Sequence, residues 1–298
     1  ANTELYKPDP TVKREEKLVL FIARHKKMYH MKGLYYLIDA IKMLDGVRLH
    51  VVGEFEESSD ENIEFVGVKQ GEELVKEMQK ASVVVLASLA DMESFGMVLI
   101  EAMACETPVI GTNIGGIPEV IRDGIDGFIV AARDSHALAM AISKIVLDKE
   151  LAARMGRSGE EKVRSFFTWE TRVALTERVF ASCLKMSSLK PEIVQVISYY
   201  PPHLGGMENC AAQIAEGFVD KGYPVSVYTS DIGYSRNAPC GSNVQVHYLK
   251  AVEFAHTPII FSLFLRLLAL PRHSLIHLHV SQAFSPEIVY MISKLRGI

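Results

Sequence analysis

Short apolar runs rich in β-branched residues recur along this chain, and amphipathic stretches of helical spacing lie between them. Strands without a polar alternate residue need both faces of their sheet covered, which is the condition of a parallel sheet dressed with helices. "KLVLFIA" (17–23) reads as such a buried strand, and "GLYYLIDAIKML" (33–44) sets Leu34, Leu37, Ile38, Ile41 and Leu44 on one helical face. "VRLHVVG", "IEFVGV", "SVVVLAS", "TPVIGT" and "DGFIV" predict further strands. "EELVKEMQKA" predicts a helix among them, and another begins near Ser135.

The same grammar returns in fresh sequence. "EIVQVIS" is a strand, "GGMENCAAQIAEGFVDKG" a loop opening a helix, "PVSVYTS" and "VQVHYL" strands, "PIIFSLFLRLLALP" (258–271) a packed helix and "SLIHLHV" a strand. The expected fold class is therefore α/β, with two Rossmann-like parallel-sheet domains, residues 1–185 and 186–298. They join near "LKMSSLKPE", where Met186 and the "SSLKPEIVQVISYYPP" after it read like the natural beginning of a protein. A length of 298 residues accommodates both domains.

Composition narrows the partners. A net charge of -4 gives no global reason to expect nucleic acid, so any phosphate site must be local. Cys105, Cys183, Cys210 and Cys240 form no CxxC pair, which fits a reducing cytosol better than a zinc ribbon or a disulfide framework. No signal peptide is visible. The apolar stretch at 258–271 carries Arg266 and is too short to span a bilayer.

Open α/β sheets bind ligands beyond the carboxyl ends of their strands, so the loops after strands are the places to look. After "VLFIA" comes "RHKKMYHMKG", whose Arg24 and Lys32 either lie on a solvated face or neutralise a pyrophosphate. After "SVVVLAS" comes "LADMESFGM", running into a helix from Phe95 or Gly96. Amides at that start can hold an anion, and Gly96 lets a ligand approach the main chain. Glu93 then lies beside the anion, and Glu101, about two turns on, can accept from a diol such as a ribose; the plain alternative is two exposed acids. "NIGGIPEVI" is a weak turn signal, whereas Gly205-Gly206 in "YYPPHLGGMENCAAQIA" follows a strand and opens a helix. His277 and His279 suggest a metal or simply a polar strand end, and no Asp-x-Asp stands anywhere in the chain.

Taken together these stretches resemble the retaining, nucleotide-sugar-dependent glycosyltransferases of the GT-B fold, specifically the large family-4 group. The resemblance runs through "NTELYKPD", "FIARHKKMYHMKGLYYLIDAI", "IEFVGVKQGEELVKEMQKASVVVLAS", "ESFGMVLIEAMACETPVIGTNIGGIPEVIRDGIDGFIV" and "YYPPHLGGMENCAAQIAEGFVDKGYPVSVYTS". It implies two domains facing across a cleft and sugar transfer from a UDP- or GDP-sugar to a sugar or lipid-linked acceptor. It also implies Glu93 on the donor sugar, Glu101 on the ribose, Arg24 and Lys32 on the pyrophosphate, and Gly205 and Gly206 closing over the phosphate. Phe95, Gly96, Met97 and Val68 are set among the donor contacts. No cofactor or metal is expected beyond the nucleotide-sugar substrate. A cytoplasmic location is expected, either free or in peripheral contact with the inner face of a membrane.

Two features depart from the family. Glu106 in "ACETPVI" stands where glycine is usual. The domain order is reversed, and the acceptor-side part stops at "KLRGI", where the family continues through further strands and helices that include a catalytic histidine. The rival readings are a nucleotide-sugar-binding module without turnover and a GT-B-fold epimerase acting on UDP-N-acetylglucosamine.

Overall fold

The computed structural model describes residues 1–56, 60–89, 95–183, 190–202, 206–233, 244–254, 257–271, 274–279 and 285–296. They fall into two compact units, Ala1–Thr168 and Trp169–Ile298.

The first unit alternates strand and helix: β1 (Leu18–Ile22), α1 (Leu34–Ile41), β2 (Arg48–Val52), β3 (Ile63–Gly67), α2 (Gly71–Lys80), β4 (Val83–Leu86) and α3 (Met97–Ala104). It continues through β5 (Val109–Thr112), α4 (Ile117–Val120), β6 (Gly127–Val130), α5 (Ser135–Leu147) and α6 (Lys149–Phe166). The strands form one six-stranded sheet in the order β3-β2-β1-β4-β5-β6, every pairing parallel. The apolar runs are explained by burial on both faces. Val19, Phe21, Val83, Val85 and Ile110 join α1 and α5 in one core, while Leu20, Val84, Leu86 and Val109 pack with α2 and α3 in another. Successive side chains of one strand thus serve opposite layers.

Asp148 ends α5 and, accepting from the amide of Leu151 at 2.9 Å, caps α6. Asp134 caps α5 in the same way, at 2.8 Å from the Ala137 nitrogen.

The second unit comprises α7 (Trp169–Cys183), β7 (Ile193–Val196), α8 (Gly206–Asp220), β8 (Val225–Ser230), β9 (Gln245–Leu249), β10 (Ala251–Phe254), β11 (Thr257–Ile260), α9 (Leu263–Leu268), β12 (Leu275–Leu278) and α10 (Ser285–Arg296). Its parallel sheet runs β12-β7-β8-β9, and β10 and β11 form a separate antiparallel pair. Helix α7 belongs to this unit because Val173 joins Phe218 of α8 in its core. The join expected at "LKMSSLKPE" falls mostly in residues 184–189, outside the described residues.

One expectation needs correcting. "PIIFSLFLRLLALP" is not a single helix: its first three residues complete β11, and only Leu263–Leu268 are helical. Pairing with the apolar β10, register Val252↔Ile259, takes the β-branched residues that would have opened the helix.

Candidate functional site

The strand order of the first unit reverses direction between β1 and β4, whose neighbours β2 and β5 lie on opposite sides. At such a switch point the loops leaving the two strands separate and leave a crevice at their carboxyl ends. The loop after β1 carries Arg24 and Lys32, and the loop after β4 leads into α3, which carries Glu101.

The first loop is held from three sides. Buried Tyr29 stacks edge-on against Phe21 at 6.3 Å between centroids and donates its hydroxyl to the carbonyl of Glu54, in the loop after β2. That loop also supplies the Glu54 carboxylate to His25 Nδ1 at 3.0 Å and to the Lys26 amide at 2.9 Å, and Glu56 to Lys26 Nζ at 3.7 Å. These pairs draw His25 and Lys26 toward β2. Arg24 is exposed and Lys32 half-buried.

Gly33, at φ 75°, turns the chain into α1 and lies against the backbone of Ala87 just past β4. The Leu89 amide donates to the Met31 carbonyl at 2.8 Å. The loops after β1 and β4 are therefore joined by main chain. Thr112 at the end of β5 secures the second loop, its Oγ1 donating to the Ser88 carbonyl at 2.8 Å.

Gly96 sits at the start of α3 with φ 63° and ψ 51°, a left-handed conformation that glycine adopts without steric cost. Phe95 turns inward, edge-on to Phe167 at 5.7 Å, and Met97 packs on the same core. Val68, just past β3, is 45% exposed.

Glu101 is partly buried on α3, and burial pushes its carboxyl up to about 7. The charge of Lys32 acts in the opposite sense and does not overcome it. Lys32 and Glu101 thus sense each other across the switch point. Glu93 falls in residues 90–94 and Gly205 in residues 203–205, both outside the described residues. Gly206 opens α8 and is exposed.

His277 and His279 lie 4.3 Å apart between ring centroids at the end of β12. Burial lowers both pKa values, that of His279 to about 3, so the pair is neutral at pH 7. Among the described residues no three His, Cys, Asp or Glu side chains are placed to hold a metal ion. Cys105 and Cys210 are free thiols. Among the described residues no helix is long and apolar enough to cross a membrane.

A cleft of about 360 Å³ lined by Arg14, Glu106, Lys149 and Arg157 lies elsewhere, at the opposite end of the sheet, where Ser82 and Glu106 precede β4 and β5. It is separate from the switch point.

Sequence reasoning passed over Gly33, for which "MKGL" at a strand-to-helix turn was a usable signal.

Residues 2–162 match the family described as glycosyl transferases group 1. The chain belongs to that family. An uncharacterized glycosyltransferase of Methanocaldococcus jannaschii is 32% identical over 159 residues, 50% of this chain and 44% of that protein. A phosphatidyl-myo-inositol mannosyltransferase of Mycobacterium leprae is 33% identical over 176 residues, 55% of this chain and 46% of its own. Among solved structures, sucrose-phosphate synthase of Thermosynechococcus elongatus superposes with a TM-score of 0.54 at 28% identity, over 61% of this chain and 51% of that one. The matches with these curated relatives thus span less than half of each relative's length. The α/β fold with parallel sheets is that of the GT-B glycosyltransferases, as the sequence predicted.

Proposed function

We propose that this group 1 glycosyltransferase chain takes part in retaining sugar transfer, in the family-4 manner, from a UDP- or GDP-sugar to a sugar or lipid-linked acceptor. The first unit binds the donor, and residues 186–298 are part of the acceptor side, in reversed order. The observation that carries the reading is the switch point itself. Cations after β1 and the glycine-led start of α3 after β4 flank one crevice, and Glu101 stands on the same helix.

Each residue then has a role. Arg24 and Lys32 take the pyrophosphate, and amides at the start of α3, freed by Gly96, add fixed dipoles where negative charge grows as the diphosphate departs. Glu101 accepts the ribose hydroxyls. Glu93 faces the sugar, where its charge matters most as positive charge develops on the anomeric carbon, a transition-state interaction. Phe95, Met97 and Val68 border the donor, and Gly205 and Gly206 approach its phosphate. The departing diphosphate's own oxygen helps deprotonate the acceptor, and no protein-bound metal is required. The mannosyltransferase relative supports a lipid-linked acceptor and hence a peripheral membrane contact at the cytoplasmic face.

Calorimetry with UDP and GDP, followed by a nucleotide-sugar panel assayed by released nucleotide, tests the reading. One diphosphate should bind, and Glu101→Ala should weaken it by roughly 1.5–3 kcal/mol, the range for hydrogen bonds to a charged group. Failure of both nucleotides to bind the wild-type chain would refute it. A nucleotide-sugar-binding module without turnover is the second reading; binding without release of nucleotide from any donor would select it.

A further inference from the structure

Glu54, the second residue past β2, is bound to the loop after β1 by every polar group it has. Its amide donates to the Arg24 carbonyl at 3.2 Å, and its carbonyl accepts the Tyr29 hydroxyl. One carboxylate oxygen meets His25 Nδ1 at 3.0 Å, and the other accepts from the Lys26 amide at 2.9 Å. Gly53 makes so close an approach possible, since a Cβ there would stand 2.1 Å from the Ala23 carbonyl oxygen and 2.5 Å from the Tyr29 hydroxyl. The stretch gripped in this way begins at Arg24 and ends at Tyr29. The turn then continues to Lys32, whose amide donates to the Met28 carbonyl at 2.9 Å.

We propose that Glu54 is a positioning residue of the donor site, its carboxylate fixing the backbone of His25 and Lys26 and so the point from which Arg24 reaches a diphosphate. The inference rests on the reading of Arg24 given above. A loop that is free before the ligand arrives must be ordered when it binds, and a carboxylate held on a backbone amide and a ring nitrogen removes that cost in advance. The side chain is 50% exposed, so core packing does not call for it. Charge alone speaks against it, because an anion beside a diphosphate repels the ligand. That charge is present at neutral pH: the bond from the Lys26 amide, and after it that from His25, hold the carboxyl below its ordinary range. An acid in this place therefore has a reason in the contacts it makes with the loop.

Glu54→Ala distinguishes positioning from mere proximity, because the two act with opposite sign. Removing a repelling charge strengthens diphosphate binding, whereas releasing the loop weakens it. In calorimetry on the full chain at pH 7, UDP or GDP, whichever the wild type binds, should bind Glu54→Ala about fivefold more weakly, the scale of one hydrogen bond. Uridine or guanosine should bind as it does to wild type. Glu54→Gln should restore most of the lost affinity, since its amide oxygen accepts from the Lys26 N–H and its NH2 donates to the His25 ring in the other tautomer. In an Arg24→Ala background Glu54→Ala should cost nothing further. Unchanged or tighter diphosphate binding by Glu54→Ala, an equal loss for the nucleoside, a Glu54→Gln chain as weak as Glu54→Ala, or an equal loss in the Arg24→Ala background would each overturn the proposal. If Arg24→Ala by itself leaves diphosphate affinity intact, the donor-site reading of Arg24 fails first and takes the proposal with it.

Discussion

A Cβ atom on Gly33 would stand 1.9 Å from the carbonyl oxygen of Ala87, so the turn after β1 and the end of β4 meet backbone to backbone. Gly33→Ala must push them apart while also forcing a left-handed φ of 75° on a residue with a Cβ. The expected cost is roughly 2 kcal/mol or more. Urea denaturation measures it, and a variant as stable as wild type would show that the contact yields easily.

Lys32 precedes that glycine, and its proposed target is the diphosphate. Lys32→Ala should therefore weaken UDP or GDP by a larger factor than uridine or guanosine. Calorimetry on both pairs decides. Equal factors would make Lys32 a structural residue.

Glu101 makes stability depend on pH in a stated direction. Its folded pKa of about 7 lies above the ordinary 4.5, so the folded chain holds the proton more tightly than the unfolded chain. Its contribution is most favourable below about 4.5 and declines as pH rises to about 7. Glu101→Gln lacks this term, so relative to wild type it should gain on the order of 1–3 kcal/mol between pH 4.5 and 8, one pKa unit being about 1.4 kcal/mol. Hydrogen exchange of β4 amides reads the difference, and parallel profiles would refute it.

Glu106 holds a left-handed conformation, φ 57°, with its carbonyl accepting from Arg14 at 3.1 Å. Glycine adopts this conformation without a Cβ penalty, so Glu106→Gly should stabilise the chain by about 0.5–1 kcal/mol after the added freedom of the unfolded state is counted. A lower urea midpoint would mean that the Glu106 side chain, through its attraction to Arg14, outweighs the strain.

The fold was legible wherever an apolar run was short and bounded. "SVVVLAS" could only be a strand buried on both faces, and Val84 and Val85 do serve opposite cores. "PIIFSLFLRLLALP" was misread because a long apolar run carries no period, and a β-partner far outside the window, β10, claimed its first residues. In the site, Lys32 and Gly96 were visible because strand-to-helix turns announce themselves by position. Gly33 was marked by its strand-to-helix turn, but its partner Ala87 lies far along the chain, and local sequence holds no trace of that contact.

Asp148 is the single residue between two helices, extended at φ -118° and ψ 94°. Helix α5 lies in the core with α1, and α6 runs along α3, where Gly159 leaves room for Met103. A residue added to so short a link would shift where α6 starts relative to α5 and the register in which it meets α3. The glycine face would slip on α3, the helix whose start and Glu101 define the crevice. The tolerance of the candidate site to changes in chain length is thus set at a joint that no ligand touches.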